Sequence, residues 1–153
     1  MATRNFVVFE EFGLDLGKGA HDFSADDLKL AMVTAGAGPT AGTATPRWGD
    51  FSGNEVSGTG YTAGGESLSS VSWTKSSNEM TLTSGGDPSV SWAQNGAGPT
   101  NCRYLILYND DAANDEAIGF VDFVNDASLQ EGPITVTWDA DGILVLTVET
   151  IIG

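Results

Sequence analysis

The chain has 153 residues, enough for one domain with its own core, and 21 acidic against 6 basic side chains give it a formal net charge of −15. A surface of this sign repels phosphate backbones and anionic lipid, so the composition argues against nucleic acids and membranes as partners. The longest apolar run, residues 104–108, is much too short to cross a bilayer, and the N-terminus lacks the pattern of a signal peptide.

The chain begins with a phenylalanine-rich segment. Phe6, Phe9 and Phe12 recur at a spacing of three, which suits one short amphipathic helical turn or an arm laid on a neighbouring subunit. A third interpretation, in which these rings complete the core of their own subunit, fits the spacing equally well. We assign residues 1–20 to an N-terminal arm or short helical turn and residues 21–153 to a single β-sandwich domain.

From residue 27 onward, apolar and polar side chains alternate in short segments, a pattern typical of half-buried antiparallel strands. The first segment places Leu28, Leu30 and Met32 on one face of the strand. Ala31 and Val33 then lie on the opposite face. The alternating segments are 27–34, 67–74, 80–83, 90–92, 102–109, 117–124, 133–139 and 143–150.

About eight such segments, at a spacing of roughly ten residues, predict an all-β fold. We expect an antiparallel β-sandwich, jelly-roll-like or Ig-like, with a long glycine-rich loop and a short N-terminal arm. The turn DADG at 139–142 predicts a hairpin between the last two strands, in which Gly142 supplies the left-handed residue.

The segment 102–109 contains the only cysteine of the chain, Cys102, so no disulfide can form within it. The alternation places Cys102 on the same face as Tyr104 and Tyr108. Because it stands at the start of an apolar strand, we expect a buried thiol rather than a reactive one.

The exception to the strand pattern is the glycine-rich stretch 35–65, which is long for a loop in a compact domain. It ends in GYTAGGES at 60–67, which has the glycine spacing of a phosphate-binding loop but carries Glu66 in place of the basic residue. A strand rather than a helix follows, so the helix dipole is missing as well. We therefore predict a tight turn with Gly64 or Gly65 at positive φ, and with Tyr61 packed onto the sandwich or a neighbouring subunit.

The other residues with chemical potential are explained by packing or by solvated turns. His21, Asp22 and Ser24 are too close in sequence to converge as a catalytic triad, and we expect His21 to cap or pack against the first strand. The acidic segments 109–116 and 139–142 lack the ligand spacing of a calcium loop. We predict no catalytic residues, no metal, no cofactor and no small-molecule substrate.

The four tryptophans divide into two groups. Trp73, Trp92 and Trp138 lie within alternating strands and are expected in the core. Trp48 lies in the glycine-rich stretch and is expected to be exposed, where it could stack on a sugar or contact another protein.

Three parts of the chain together resemble a known class of protein. They are HDFSADDLKLAMVT (21–34) after the phenylalanine-rich opening, EVSGTGYTAGGESL (55–68), and the C-terminal set CRYLILYND (102–110), IGFVDF (118–123) and ITVTWDADGILVL (134–146). They resemble small virion structural proteins of tailed bacteriophages and prophages, of the capsid decoration (cement) type.

This resemblance implies a β-sandwich subunit, often a homotrimer, that assembles in the bacterial cytoplasm and binds the outside of the capsid. It would stabilise the shell by bridging subunits of the phage major capsid protein, and it implies no enzymatic activity. The candidate capsid or inter-subunit contacts in this sequence are Phe6, Phe9, Phe12, Trp48 and Tyr61.

Two alternatives remain open from the sequence. The first is a receptor- or glycan-binding domain of a head fibre or tail fibre, which would use Trp48. The second is a carbohydrate-acting enzyme, which would need two facing carboxylates, although no spacing of acidic residues indicates such a pair.

Overall fold

The computed structural model describes residues 4–149, and these form ten strands, two short α-helices and two short 3-10 turns. The helices are α1 (Phe12–Gly17) and α2 (Trp48–Phe51). The strands are β1 (Phe6–Val8), β2 (Leu28–Val33), β3 (Glu66–Ser67), β4 (Val71–Ser76), β5 (Glu79–Ser84), β6 (Val90–Trp92), β7 (Cys102–Asn109), β8 (Ala117–Ala127), β9 (Ile134–Val136) and β10 (Leu144–Thr147).

The strands form three antiparallel sheets, which confirms the predicted all-β, sandwich-like fold. The largest has five strands in the order β1-β8-β7-β2-β3. A three-stranded sheet has the order β10-β5-β4, and β6 pairs with β9 in a sheet of two.

The main core lies between one face of the five-stranded sheet and the two smaller sheets. Strand β2 contributes Leu28, Leu30 and Met32, which are fully buried against side chains such as Leu82 and Trp92 of the small sheets. The alternation predicted for this strand is therefore confirmed. Each fully buried leucine contributes on the order of 2 kcal/mol to the free energy of folding, because its side chain is removed from water.

The opposite face of the five-stranded sheet carries a second, smaller core. Ala31 and Val33 of β2 pack there with Phe51, the buried residue of α2. Phe51 stacks on Phe9 with ring centroids 5.9 Å apart. The stretch 35–65 is thus the predicted long loop, interrupted by three short helical segments, and its Phe51 covers this face of the sheet.

The N-terminal segment belongs to the domain. Phe6 lies opposite Val121 in the β1–β8 pair, so residues 6–8 are an edge strand rather than an arm. A helical turn does form, but it begins at Phe12. Phe9 and Phe12 are only 1% and 5% exposed, so these two rings complete the core of their own subunit, as the third interpretation had it.

The predicted hairpin at 139–142 is wrong. The turn itself forms, and Gly142 has the expected positive φ of 105°. Its two flanking strands, however, enter different sheets, because β9 pairs with β6 and β10 pairs with β5. The turn therefore carries the chain from one sheet to another.

Strands β7 and β8 pair irregularly near their ends. Between the pair Cys102↔Ala127 and the pair Tyr104↔Asp122, β7 advances by two residues and β8 by five. This bulge turns Cys102 into the main core, whereas Tyr104 packs against the second core. The predicted shared face of Cys102 and Tyr104 is therefore wrong, because a bulge changes the side-chain alternation locally.

Candidate functional site

The turn that resembles a phosphate-binding loop is fixed by two glycines. Gly64 and Gly65 have φ values of 89° and 81°, which confirms the predicted left-handed geometry. A Cβ atom on Gly65 would lie 1.9 Å from the carbonyl oxygen of Leu30, so only glycine fits. Strand β3 follows at once and pairs with β2, and the turn therefore serves to bring the chain back onto the sheet.

Tyr61 closes this turn from inside. Its hydroxyl donates a hydrogen bond to Glu55 Oε1 at 2.7 Å and accepts one from the backbone N–H of Met32 at 3.0 Å. The N–H of Gly64 donates to the same Glu55 oxygen at 2.6 Å. Burial, followed by the bond to Glu55, raises the pKa of Tyr61 far above its usual value. Its predicted packing onto the sandwich is confirmed.

Trp48 lies beside this network and is half-buried rather than freely exposed. Its indole stacks on the ring of Tyr108, with centroids 4.9 Å apart and planes 9° from parallel. The Tyr108 hydroxyl in turn donates to the carbonyl oxygen of Gly64 at 2.7 Å. One face of the indole is therefore covered by the protein, and only the remaining surface of the ring is left for a ligand.

His21 is a packed core residue. Its ring packs against both Phe12 and Phe23, at centroid distances of 5.7 Å and 5.3 Å, and the two phenyl rings also contact each other at 6.0 Å. Its Nδ1 atom accepts a hydrogen bond from the amide of Asn109 at 3.1 Å, and its buried Nε2 atom has no partner among residues 4–149. Burial lowers the pKa of His21, against the opposing effect of nearby Glu116 and Asp26. The prediction of a packed His21 is confirmed.

Asn109 is a fully buried residue that joins two acidic loops, a role that the sequence-based reasoning missed. Its side-chain oxygen accepts from the N–H groups of Asp111 and Ala112 at 3.0 Å and 3.1 Å. Its amide nitrogen donates to Asp26 Oδ2 at 2.6 Å. The signal available in the sequence is the asparagine at the start of an acidic turn, a position that favours side-chain to backbone bonding.

Acidic side chains form no metal centre in the part of the chain that the structure describes, where no group of three or more His, Cys, Asp or Glu is arranged to hold an ion. Cys102 is buried, and burial raises the pKa of its thiol to about 12. It is therefore protonated and unreactive at neutral pH.

Two of the six basic side chains form ion pairs with acids within residues 4–149. Lys29 Nζ lies 2.7 Å from Asp110, and Arg103 Nε lies 3.0 Å from Asp122. Each ion pair neutralises one basic side chain. On the rest of the surface, carboxylates therefore greatly outnumber basic groups.

An open groove of about 900 Å³ runs between the edge at β1 and β8 and the segment around β9. Phe6 and Trp138 meet edge to face along it, with ring centroids 5.4 Å apart. Trp138 and Trp73 are half-buried against the main core and Trp92 is fully buried, which confirms the predicted placement of these three tryptophans.

No protein-family model, curated protein or solved structure matches this chain. Between residues 4 and 149, no helix is long and apolar enough to cross a membrane.

Proposed function

We propose that this chain is a capsid decoration protein of a tailed bacteriophage or prophage. It binds the outside of the assembled shell and stabilises the shell by bridging subunits of the major capsid protein. The proposal extends the resemblance described above, and one structural observation supports it in particular.

That observation concerns the side chains that could take part in catalysis or ligand binding: they are engaged in contacts within their own subunit. Tyr61 is held between Glu55 and a backbone N–H, His21 packs against two phenylalanines, and Trp48 stacks on Tyr108. Side chains engaged in this way are taken up by the packing of their own subunit, and the chain carries a formal net charge of −15. An acidic subunit of this kind suits a role that depends on complementary surfaces rather than on chemistry.

The five candidate contacts are not equally available in this subunit. Phe9 and Phe12 are buried in its core, so neither ring can reach a capsid protein without local unfolding. Phe6, Trp48 and Tyr61 are half-buried. Of these three, Phe6 lines the open groove and Trp48 is half-buried beside its stack on Tyr108, so we propose these two as the contacts to be tested first.

Stabilisation of the shell follows from mass action. A protein that binds only the expanded shell shifts the equilibrium toward that shell by its own binding free energy. Several weak contacts made by one assembly add through avidity. The homotrimer that the resemblance implies would multiply contacts in this way, and it stays a prediction.

Co-sedimentation with purified shells tests the proposal. The probe is the intact chain mixed with expanded shells and with unexpanded shells of the major capsid protein from the phage that encodes it. We expect saturable binding to expanded shells and a higher melting temperature of the shell. Equal absence of binding to both forms would contradict the proposal.

The alternative, a glycan- or receptor-binding fibre domain, depends on Trp48. It predicts glycan binding that Trp48→Ala abolishes. The stack on Tyr108 leaves a single indole face for such a ligand, and for this reason we place shell binding first.

A further inference from the structure

Strand β10 is one of the two edge strands of the three-stranded sheet, with β4 at the other edge. It pairs with β5 on one side and ends the strand order on the other. The N–H of Val148 donates to the carbonyl of Asn78, on the β5 side. Because backbone groups of alternate residues point to opposite sides of a strand, the N–H and C=O groups of Val145 and Thr147 point away from β5. Among residues 4–149 these donors and acceptors have no backbone partner.

This edge is short, but it lacks three of the features that usually prevent pairing. Residues 144–147 contain no lysine, no proline and no bulge, all of which natural proteins use to protect exposed edges. Val145 and Val148 are 47% and 54% exposed, and they are two of the four large apolar side chains exposed within residues 4–149. The edge therefore combines open hydrogen-bonding groups with exposed apolar surface.

The distribution of charge indicates which partner fits. The strands β4, β5 and β10 carry only Lys75 and Glu79, so this sheet has no formal net charge, whereas the whole chain carries −15. Two copies of so acidic a chain repel each other wherever their carboxylates approach. A contact through this sheet, which has no net charge, keeps the acidic surfaces of two copies apart. We therefore take a second copy of this chain as the partner that binds this edge.

We propose that two copies of the chain pair antiparallel along β10, about a two-fold axis at Leu146. In this register Leu146 faces Leu146 of the partner subunit, and Val145 faces Thr147 of the partner subunit. The outward N–H and C=O groups of these residues then form four backbone hydrogen bonds, because each Val145–Thr147 pair exchanges two. The two three-stranded sheets become one sheet of six strands through an isologous interface.

Electrostatics and packing both favour this register over the one with Val145 on the axis. With Val145 on the axis instead, Glu149 would face Asp141 of the partner subunit, and directly opposed like charges destabilise a strand pair. With Leu146 on the axis, Val148 faces Leu144 of the partner subunit, which covers the exposed valine with an apolar neighbour. The same register leaves Glu149 facing Ile143 of the partner subunit.

Sedimentation of the full chain over a range of concentrations tests the association. We expect a reversible dimer, which salt strengthens because it screens the repulsion between the acidic copies. Val148→Lys should raise the dissociation constant by about tenfold or more. Val124→Lys is the matched control, since Val124 is 57% exposed on β8 and receives the same charge change. It should leave the dissociation constant unchanged.

A single cysteine tests the register. Residues opposed in a non-hydrogen-bonded antiparallel pair have Cα atoms about 4.5 Å apart, which a disulfide can span. Leu146→Cys should therefore cross-link to its own copy under mild oxidation. Val145→Cys should not, because its own copy lies diagonally across the interface. The native chain, whose Cys102 is buried, is the control for background oxidation.

Three results would overturn the proposal: a monomer at every concentration, an odd-numbered assembly such as the competing homotrimer that the resemblance implies, or equal effects of Val148→Lys and Val124→Lys. Equal cross-linking of Leu146→Cys and Val145→Cys would overturn the register. Circular dichroism of each variant verifies that it is folded. Because these measurements use the purified chain without shells, they can fail while shell binding succeeds, and the reverse.

Discussion

Replacement of Gly65 by alanine is expected to destabilise the protein strongly. The new Cβ atom would lie 1.9 Å from the Leu30 carbonyl oxygen, whereas real Cβ atoms essentially never come within 3.0 Å of such a neighbour. The turn must move away from β2 by about 1 Å, which disrupts the short β2–β3 pairing. A left-handed backbone costs a residue with a Cβ about 1–2 kcal/mol, and each lost hydrogen bond about 1 kcal/mol. We expect a loss of about 3 kcal/mol or more, or a fall in melting temperature of roughly 10 °C.

Gly64→Ala separates the cost of the left-handed backbone from the cost of the close approach to Leu30. Gly64 has nearly the same φ, but a Cβ atom at this position would meet only the Tyr108 hydroxyl, at an ordinary contact distance of 3.5 Å. Only the backbone cost then applies, about 1–2 kcal/mol. Urea unfolding followed by circular dichroism measures both variants. Equal losses of free energy would refute the role assigned to the approach of Gly65 to Leu30.

Three further predictions concern the interior. Tyr61→Phe should lower the free energy of unfolding by about 1–3 kcal/mol, measured by urea unfolding, because the Met32 N–H loses its acceptor and the half-buried Glu55 carboxylate loses a donor. Because burial lowers the pKa of His21 below its ordinary 6.5, the unfolded chain binds the proton more tightly. The contribution of neutral His21 to the free energy of unfolding should be fully present above pH 6.5 and should decrease as the pH falls below that value. His21→Phe should flatten this part of the pH profile of stability. Phe9→Ala should cost about 3–5 kcal/mol by thermal unfolding, whereas Leu14→Ala at a half-exposed position should change little.

The predictions from sequence succeed where local geometry decides. The alternation of residues 28–33 was sufficient to assign each side chain of β2 to its face, because the pleat of a strand has a period of two. The need for positive φ at Gly64 and Gly65 is equally local. Both glycines follow from the turn that must return the chain to the sheet.

The predictions fail where partners distant in sequence decide. The turn at 139–142 looks like a hairpin, and only the pairing of β10 with β5 and of β9 with β6 reveals that it joins two sheets. The face of Cys102 depends on a bulge in β8, some twenty residues away. The spacing of Phe6, Phe9 and Phe12 likewise fits an arm, a helix or a core, and the pairing with β8 decides between them.

The candidate contacts were predictable in part. Tyr61 was expected on the sandwich because it precedes a turn that must pack closely. The carboxylate of Glu55, which binds both Tyr61 and the Gly64 N–H, carries no signal in the sequence. Trp48 was expected to be exposed because no strand pattern surrounds it. Its stacking partner Tyr108 lies on β7, sixty residues further along the chain.

Electron cryo-microscopy of the phage particle that encodes this chain tests the central proposal most directly. Particles with the chain and particles that lack it would be reconstructed and compared. The proposal predicts difference density on the outside of the capsid, over the junctions between major capsid protein subunits, that fits this β-sandwich. Density confined to a fibre tip, or no difference on the shell, would contradict it.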